Sequence, residues 1–428
     1  MAASSPLPLS GGAPRRSALR ARTVLIVEAS SGGIVGGSLT GLVQQVSGMD
    51  GDWRPVMALY ERKAIEPELN QRGVRVFHVA RRRLPKEHAL QGSAVYQQGR
   101  QLGAVRAGLQ IGRQVLRTVA EEFPAALRLA RIIRAERADV VHLGNGIRAN
   151  FDGILACWLT RTPCLCHVKG FEKYSARERW AAPWLGAIVC MTEAVREHCE
   201  RHGVRTPRMH VVYDALGSEY FQPARDRGTT RASLGLAADT VAFGIVGGIQ
   251  EWKGQAVAVE AFARARALRP EIRLLVVGGV HRAGREYSRQ LEETVRQLGL
   301  EGAVTFTGHR SDVADVIDAL DVLVHASVRP EPFGRVILEG MLLGKPVIAS
   351  AAGGVPEFVA EGRTGFLVPP GDAEALAARM RLLATDDALR RRVGAEARVE
   401  ARERFSLRRH VDAMSALYDS ISKRKEVQ

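Results

Sequence analysis

Short apolar runs alternate with amphipathic stretches along most of the chain. Thr23–Glu28 (TVLIVE) is apolar and leads into a Gly-rich turn over Ser31–Ser38, and apolar spacing of helical period follows over Leu39–Val46. Strand-like runs recur at Pro55–Tyr60, Val74–Val79, Asp139–Leu143, Pro163–Val168, Ala187–Met191 and Met209–Tyr213. A second series begins after residue 238, with runs at Val241–Val246, Ile272–Val277, Val304–Thr307, Val322–His325 and Pro346–Ser350. Asp372–Leu383, Leu389–Arg404 and roughly Arg408–Ser422 carry helical spacing. Short apolar strands separated by helices are the pattern of parallel βα units whose sheets are covered on both faces.

Two stretches break the rhythm. Between Arg81 and Arg137 the chain is long, helical and basic, with twelve Lys or Arg against four Glu, and Pro124 is expected to divide it into two helices. It is too polar to cross a bilayer; it reads either as an interfacial helix or as an ordinary amphipathic helix on the sheet. Gln222–Ala238 holds Pro223, Gly228 and Gly235 with little periodicity and reads as a linker. The expected organisation is a disordered tail over 1–21, a first Rossmann-like domain over 22–221, the linker over 222–238, a second Rossmann-like domain over 239–407, and a helix over 408–428 that packs back on the first domain.

Composition narrows this. With 428 residues, 46% hydrophobic and 25% charged, the chain is long enough for two or three domains and falls in the globular range. No apolar run reaches the roughly 18–20 residues of a membrane span, and the first twenty residues lack the apolar core of a secretory signal, so a cytoplasmic location is expected. The five cysteines, Cys157, Cys164, Cys166, Cys190 and Cys199, need no disulfide role in a chain of this size. The Cys164–His167 cluster lacks the second ligand pair of a structural zinc site, so no metal is expected. Net charge is unevenly spread: residues 1–220 hold 31 basic and 19 acidic side chains, a net of +12, and residues 221–428 hold 30 and 27, a net of +3. The first half therefore faces an anionic partner such as a membrane surface or an acidic acceptor, or is simply an Arg-rich solvated surface. An aromatic share of 6%, without basic–aromatic interleaving, argues against nucleic acid.

The segment with most chemistry is Pro330–Gly354 (PEPFGRVILEGMLLGKPVIASAAGG), followed by Val355, Pro356 and Glu357. A strand precedes it; Glu331 lies in the loop and Glu339 about two turns into the helix. The amides of Phe333, Gly334, Arg335 and Val336 sit at a helix N-terminus, where free N–H groups and the dipole favour phosphate. Ionised carboxylates accept hydrogen bonds, which suits sugar hydroxyls.

This segment closely resembles the E-x7-E motif of the retaining glycosyltransferases of family four, which have the GT-B fold of two Rossmann-like domains facing across a cleft. Val246–Gly254 (VGGIQEWKG), Val304–Gly308 (VTFTG), Gly353–Glu357 (GGVPE) and Gly362–Pro369 (GRTGFLVP) match further signatures. The resemblance implies sugar transfer from a nucleotide-diphosphate sugar to a glycan, lipid-linked or small acceptor with retention of configuration, and no required metal or other cofactor. It further implies that Glu331 holds the transferred sugar, Glu339 the ribose, and Lys253 the diphosphate. The Phe333–Val336 amides would contact sugar and phosphate, and Gly308, His309 and Arg310 would border the base. Gly32 and Gly33 would form the phosphate loop of the first domain, and His167 would approach the donor sugar. The family's usual Arg, five residues before the lysine, is here Gly248, leaving Arg335 or Arg310 to stand in, or a single cation.

Other motifs carry less. Gly32–Ser38 has Gly37 where a Walker loop needs Lys. Asp50-Gly51-Asp52 is expected as a turn. His142 and Lys169 read either as acceptor contacts or as structural and solvated residues. A sugar-nucleotide epimerase, or a non-catalytic carbohydrate or nucleic-acid binder, remains an alternative class.

Overall fold

The structure is a computed structural model; it describes residues 21–29, 37–49, 51–81, 112, 114–219, 221–280 and 284–422. The tail over 1–20 and the loop glycines Gly32 and Gly33 lie outside the described residues.

Among these residues the first domain holds strands β1 (Arg22–Glu28), β2 (Trp53–Leu59), β3 (Arg75–His78), β4 (Val140–Leu143), β5 (Cys164–Val168), β6 (Ala187–Cys190) and β7 (Met209–Val211). They form one sheet in the order β3-β2-β1-β4-β5-β6-β7. The second domain holds β8 (Ala242–Val246), β9 (Arg273–Val277), β10 (Val304–Gly308), β11 (Val322–His325), β12 (Val347–Ser350) and β13 (Gly365–Val368), in the order β10-β9-β8-β11-β12-β13. The pairings are parallel, and strand order reverses beside β1 and beside β8. Side chains of β1, β4, β5, β6 and β11 are buried on both faces, which is why these runs read as continuously apolar. Pro55 is tolerated within β2 because β3 begins only opposite Val56, so its missing N–H spoils no ladder bond there.

The polypeptide crosses between domains after β7 and returns near Phe405. Phe333, Phe358, Phe405 and Tyr213 pack at that junction, edge to face except for the tilted Phe333–Phe358 pair, with centroids 5.0–6.1 Å apart. The final helix, Leu407–Ser422, lies on the first domain: Tyr418 is fully buried against Trp53, and Asp419 accepts hydrogen bonds from Arg22 and from Trp53 Nε1.

Two expectations need correction. Pro124 does not divide the basic stretch, because a π-helical turn at Thr118–Glu122 runs directly into the helix Phe123–Glu136. Pro is acceptable there, in the first turn of the α-helical part, where the wider turn removes the need for its absent N–H. The segment read as a linker contains a helix, Arg227–Ser233, capped by Asp226. Arg227 and Arg231 bond Asp321, and Arg225 bonds Asp312 and Asp315, so this segment is part of the second domain. Seven residues are too few to show a helical period, and the fixing contacts lie about ninety positions away.

Candidate active site

The carboxyl end of β11 carries a buried polar cluster. His325 ends the strand, and Ser327 and Glu331 follow in the loop. Ser327 Oγ donates to Glu331 Oε1 at 3.1 Å, and His325 Nε2 lies 3.3 Å from Glu331 Oε2. Lys253, from the loop after β8, forms an ion pair with Glu331 and stacks its ammonium 4.1 Å from the Trp252 ring centroid. Burial pushes the Glu331 carboxyl up, but hydrogen bonding and charge from His325 and Lys253 outweigh it and hold the group at about 2. Glu331 is therefore an ionised acceptor across the physiological range.

Glycines bring these loops close enough. A Cβ on Gly254 (φ +70°) would meet the Ala326 carbonyl at 1.9 Å, and one on Gly353 (φ +67°) would meet the Glu331 carbonyl at 2.0 Å. Only glycine fits both the backbone angle and the space. Gly334 (φ +79°) opens the helix Arg335–Leu342, so the amides beyond it face the loop that holds Glu331. Phe333 sends its ring into the interdomain aromatic cluster, leaving its backbone for the site, and Val336 packs against the core.

Glu339 lies one turn further, with Arg335 Nε 3.6 Å away. Burial pushes its carboxyl up to about 7, only partly offset by Arg335. Arg335 also donates to Gln44 Oε1 of the first-domain helix Gly37–Gly48 at 3.1 Å and lies 3.8 Å from Asp214. It thus stands between the domains. Arg310 instead bonds Asp312 through Nε and Nη2, and His309 and Arg310 line a shallow hollow with Ala224, Arg225, Ser311, Asp312 and Asp315. Gly308 (φ +67°) accepts from the Gly278 amide at 3.0 Å, and Gly248 accepts from Gln255. The sequence named Glu331, Lys253, Glu339 and Arg335, and the fold brings them to one end of the second sheet. Sequence reasoning missed His325 and Ser327, which looked like strand-end residues; their position directly before the acid-bearing loop was the available signal.

On the facing domain His167 is the penultimate residue of β5 and fully buried, with neither ring nitrogen hydrogen-bonded. Its ring stacks on His142 (5.5 Å) and His410 (6.2 Å). His142 is a core residue bonded to Tyr418, not an exposed contact. The five cysteines are buried free thiols. The domains also touch through Thr192 Oγ1, which donates to the Pro332 carbonyl, and through Glu357, whose two oxygens accept from the Glu193 and Ala194 amides at the start of the helix Glu193–Arg201. No helix among the described residues is long and apolar enough to cross a membrane.

Comparison with known proteins agrees with this layout. Residues 65–216 match the model for Glycosyltransferase Family 4, and residues 226–400 match that for Glycosyl transferases group 1. The D-inositol 3-phosphate glycosyltransferase of Stackebrandtia nassauensis is 37% identical over 226 residues, 51% of this chain and 50% of that protein. The Mycobacterium tuberculosis protein of the same name is 33% identical over 237 residues, 54% of this chain and 48% of the other. The chain thus spans about half the length of the curated relatives it matches. Among solved structures, Anabaena HepE in complex with UDP and glucose superposes with a TM-score of 0.75 at 23% identity, over 93% of this chain and all of the other. A glycosyltransferase from Rickettsia africae gives 0.76 at 20% identity, over 94% and 99%. The chain is a GT-B-fold protein related, half by half, to glycosyltransferase family 4 and to the glycosyl transferases group 1.

Proposed function

We propose that the chain transfers a sugar from a nucleotide-diphosphate sugar to an acceptor with retention of configuration. The observation that carries this is Glu331: a buried carboxylate held ionised by His325 and Lys253 beside a helix N-terminus, with Glu339 one turn along the same helix. In this reading Glu331 accepts from hydroxyls of the transferred sugar, and the amides of Phe333–Val336 meet sugar and phosphate. Glu339 accepts from the ribose, and Gly308 to Arg310 border the base. Lys253 turns from Glu331 to the diphosphate once a donor enters. Arg335, rather than Arg310, replaces the arginine missing at Gly248, because it is the cation at the domain junction whereas Arg310 is engaged by Asp312. Fixed cations and amides stabilise the charge that develops on the departing diphosphate, more strongly once water is excluded. His167 is assigned to the donor side of the first domain; Gly32 and Gly33, assigned with it, lie outside the described residues. The complex of one related structure with UDP and glucose, and D-inositol 3-phosphate in the name of another protein, support a nucleotide sugar as donor and a hydroxylated, anionic class of acceptor. Thermal-shift screening with UDP-, GDP- and ADP-sugars, followed by product analysis on inositol phosphate and lipid-linked acceptors, tests this. Absence of stabilisation by every nucleotide sugar and nucleoside diphosphate overturns it.

A cytoplasmic, membrane-peripheral location goes with a lipid-linked or anionic acceptor. Val115, Leu116 and Val119 are each more than half exposed, and Phe123 and Leu127 continue the strip along the same helix. Arg117 is tied to Glu121 and Glu122, which shifts the expected headgroup contacts to other arginines of the net +12 half. The protein should sediment with vesicles containing anionic lipid and not with neutral ones, and about 0.5 M salt should release it through screening. Failure to bind anionic vesicles at low salt removes the membrane part and leaves the transferase reading intact.

A further inference from the structure

His167, assigned above to the donor side of the cleft, is enclosed by groups far from it in the chain. On one side His142 of β4 stacks at 5.5 Å with its ring tilted 24°; on the other, His410 of the C-terminal helix stacks at 6.2 Å and 22°. Both outer rings are anchored. His142 Nδ1 lies 2.8 Å from the Tyr418 hydroxyl, which accepts from Gln45 Nε2 at 2.7 Å. His410 Nδ1 lies 2.8 Å from the Tyr213 carbonyl, and its Nε2 lies 3.4 Å from Gln45 Oε1. His167 alone has no hydrogen bond on either nitrogen, and is kept in place by its two neighbours' rings. Tyr213 precedes Asp214, which faces Arg335, so the anchor of His410 lies at the crossing between domains.

We infer that His410, delivered by the C-terminal helix Leu407–Ser422, is a positioning residue that with His142 clamps the His167 ring at the carboxyl end of β5. This rests on the transferase reading of His167. The helix thereby becomes part of the support of the catalytic cleft, and its docking becomes a condition for turnover. Burial holds all three imidazoles below the usual histidine value, and the positive charge of Lys169 acts in the same direction. Asp214 is the carboxylate that opposes this at His410; Gln45 and Tyr418 face the cluster without charge. Burial in the docked state therefore favours neutral rings. An undocked state binds more protons as pH falls below about 6.5, so docking and turnover weaken together on that side.

The test uses the full chain, with kcat and donor KM measured from pH 5 to 8.5, and Tm measured in parallel, for wild type, His410→Phe, His410→Gln and His167→Ala. Phe fills the stack but loses the anchor to Tyr213; Gln keeps a donor. His410→Phe is expected to lower kcat roughly ten- to a hundredfold at pH 7.5, the scale of a misplaced catalytic group, with donor KM within about twofold and a shallower acid limb. Gln should restore part of kcat. A purely structural role would lower Tm without changing the pH profile of the folded enzyme. Wild-type kcat and an unchanged acid limb in His410→Phe overturn the clamp. Full activity in His167→Ala instead overturns the role of His167 itself. Hydrogen exchange over Leu407–Ser422 gives a readout free of turnover: acid-induced opening that His410→Phe does not alter also overturns the clamp.

Discussion

Replacing Lys253 by Met removes the ammonium but keeps most of the side-chain volume, and its consequences follow from Glu331. That carboxyl lies at about 2 against an ordinary 4.5, although burial alone would raise it. A displacement of this size corresponds to roughly 3 kcal/mol of favourable interaction with the ionised form, at about 1.4 kcal/mol per unit. His325 supplies the largest favourable part and Lys253 a further part. Lys253 is 23% exposed, which places its share below the roughly 3–5 kcal/mol of a fully buried pair. The expected loss of stability at pH 7 is about 1–2 kcal/mol, or about 3–6 °C in Tm for a domain of this size. The sign with pH is definite. Wild-type Glu331 contributes stability that is present above its unfolded value and is lost as pH falls towards 2. In the variant the carboxyl titrates higher, so it takes up a proton earlier, and the Tm difference from wild type should hold from pH 7 to about 4.5 and narrow as pH falls further towards 2. Turnover with a nucleotide-sugar donor should fall at least about a hundredfold, the scale for removal of one preorganised charge stabiliser. Differential scanning calorimetry across that pH range and initial-rate measurements at pH 7.5 check both halves. A Tm difference that stays constant from pH 7 down to about 2.5 would refute the electrostatic coupling of Lys253 to Glu331. Near-normal turnover would transfer the leaving-group role to Arg335.

Further outcomes test other parts of the site. Glu339, raised to about 7 by burial, costs stability increasingly as pH rises from 4.5 to 7, so Glu339→Gln should raise Tm at pH 8 while weakening nucleoside diphosphate binding by about 1–3 kcal/mol in calorimetry; unchanged affinity removes Glu339 from the site. Gly353→Ala forces a Cβ to within 2.0 Å of the Glu331 carbonyl at positive φ, and should lower Tm and abolish donor-induced stabilisation, whereas Gly362→Ala, at a similar φ with nothing within 4 Å, should cost only about 1–2 kcal/mol of backbone strain. Glu357→Gln weakens the charged cap on the helix Glu193–Arg201 across the domain junction; a loss of about 1 kcal/mol is expected by denaturation, and no change would show that this contact does not hold the domains together.

Much of this protein was legible before folding was considered. The apolar runs located the strands because a parallel sheet covered on both faces leaves its strands nothing polar to present, and period and length alone then mark them. The loop acids and glycines around Glu331 were legible for a related reason: ligand loops follow strand ends, and a glycine at positive φ leaves a residue-level trace. Pro124 misled because the rule that proline ends a helix assumes regular α geometry, and the π turn at Thr118–Glu122 relaxes it. The helix Arg227–Ser233 escaped because it is shorter than two turns, and its arginines find Asp321 only in three dimensions.

The sequence by itself therefore determined the two βα series, the strand ends that carry chemistry, and the chemical type of the second-domain site, since each is written in local periodicity or in residues close together in the chain. Only the tertiary structure decided the partners: that Lys253 and His325 hold Glu331 ionised, that Arg335 rather than Arg310 stands between the domains, and that His142, His167 and His410 form one buried stack. Apart from His325 and Glu331, six positions apart, these contacts join residues tens to hundreds of positions apart, and their energies depend on burial. Burial is a property of the packed whole, which no local pattern encodes.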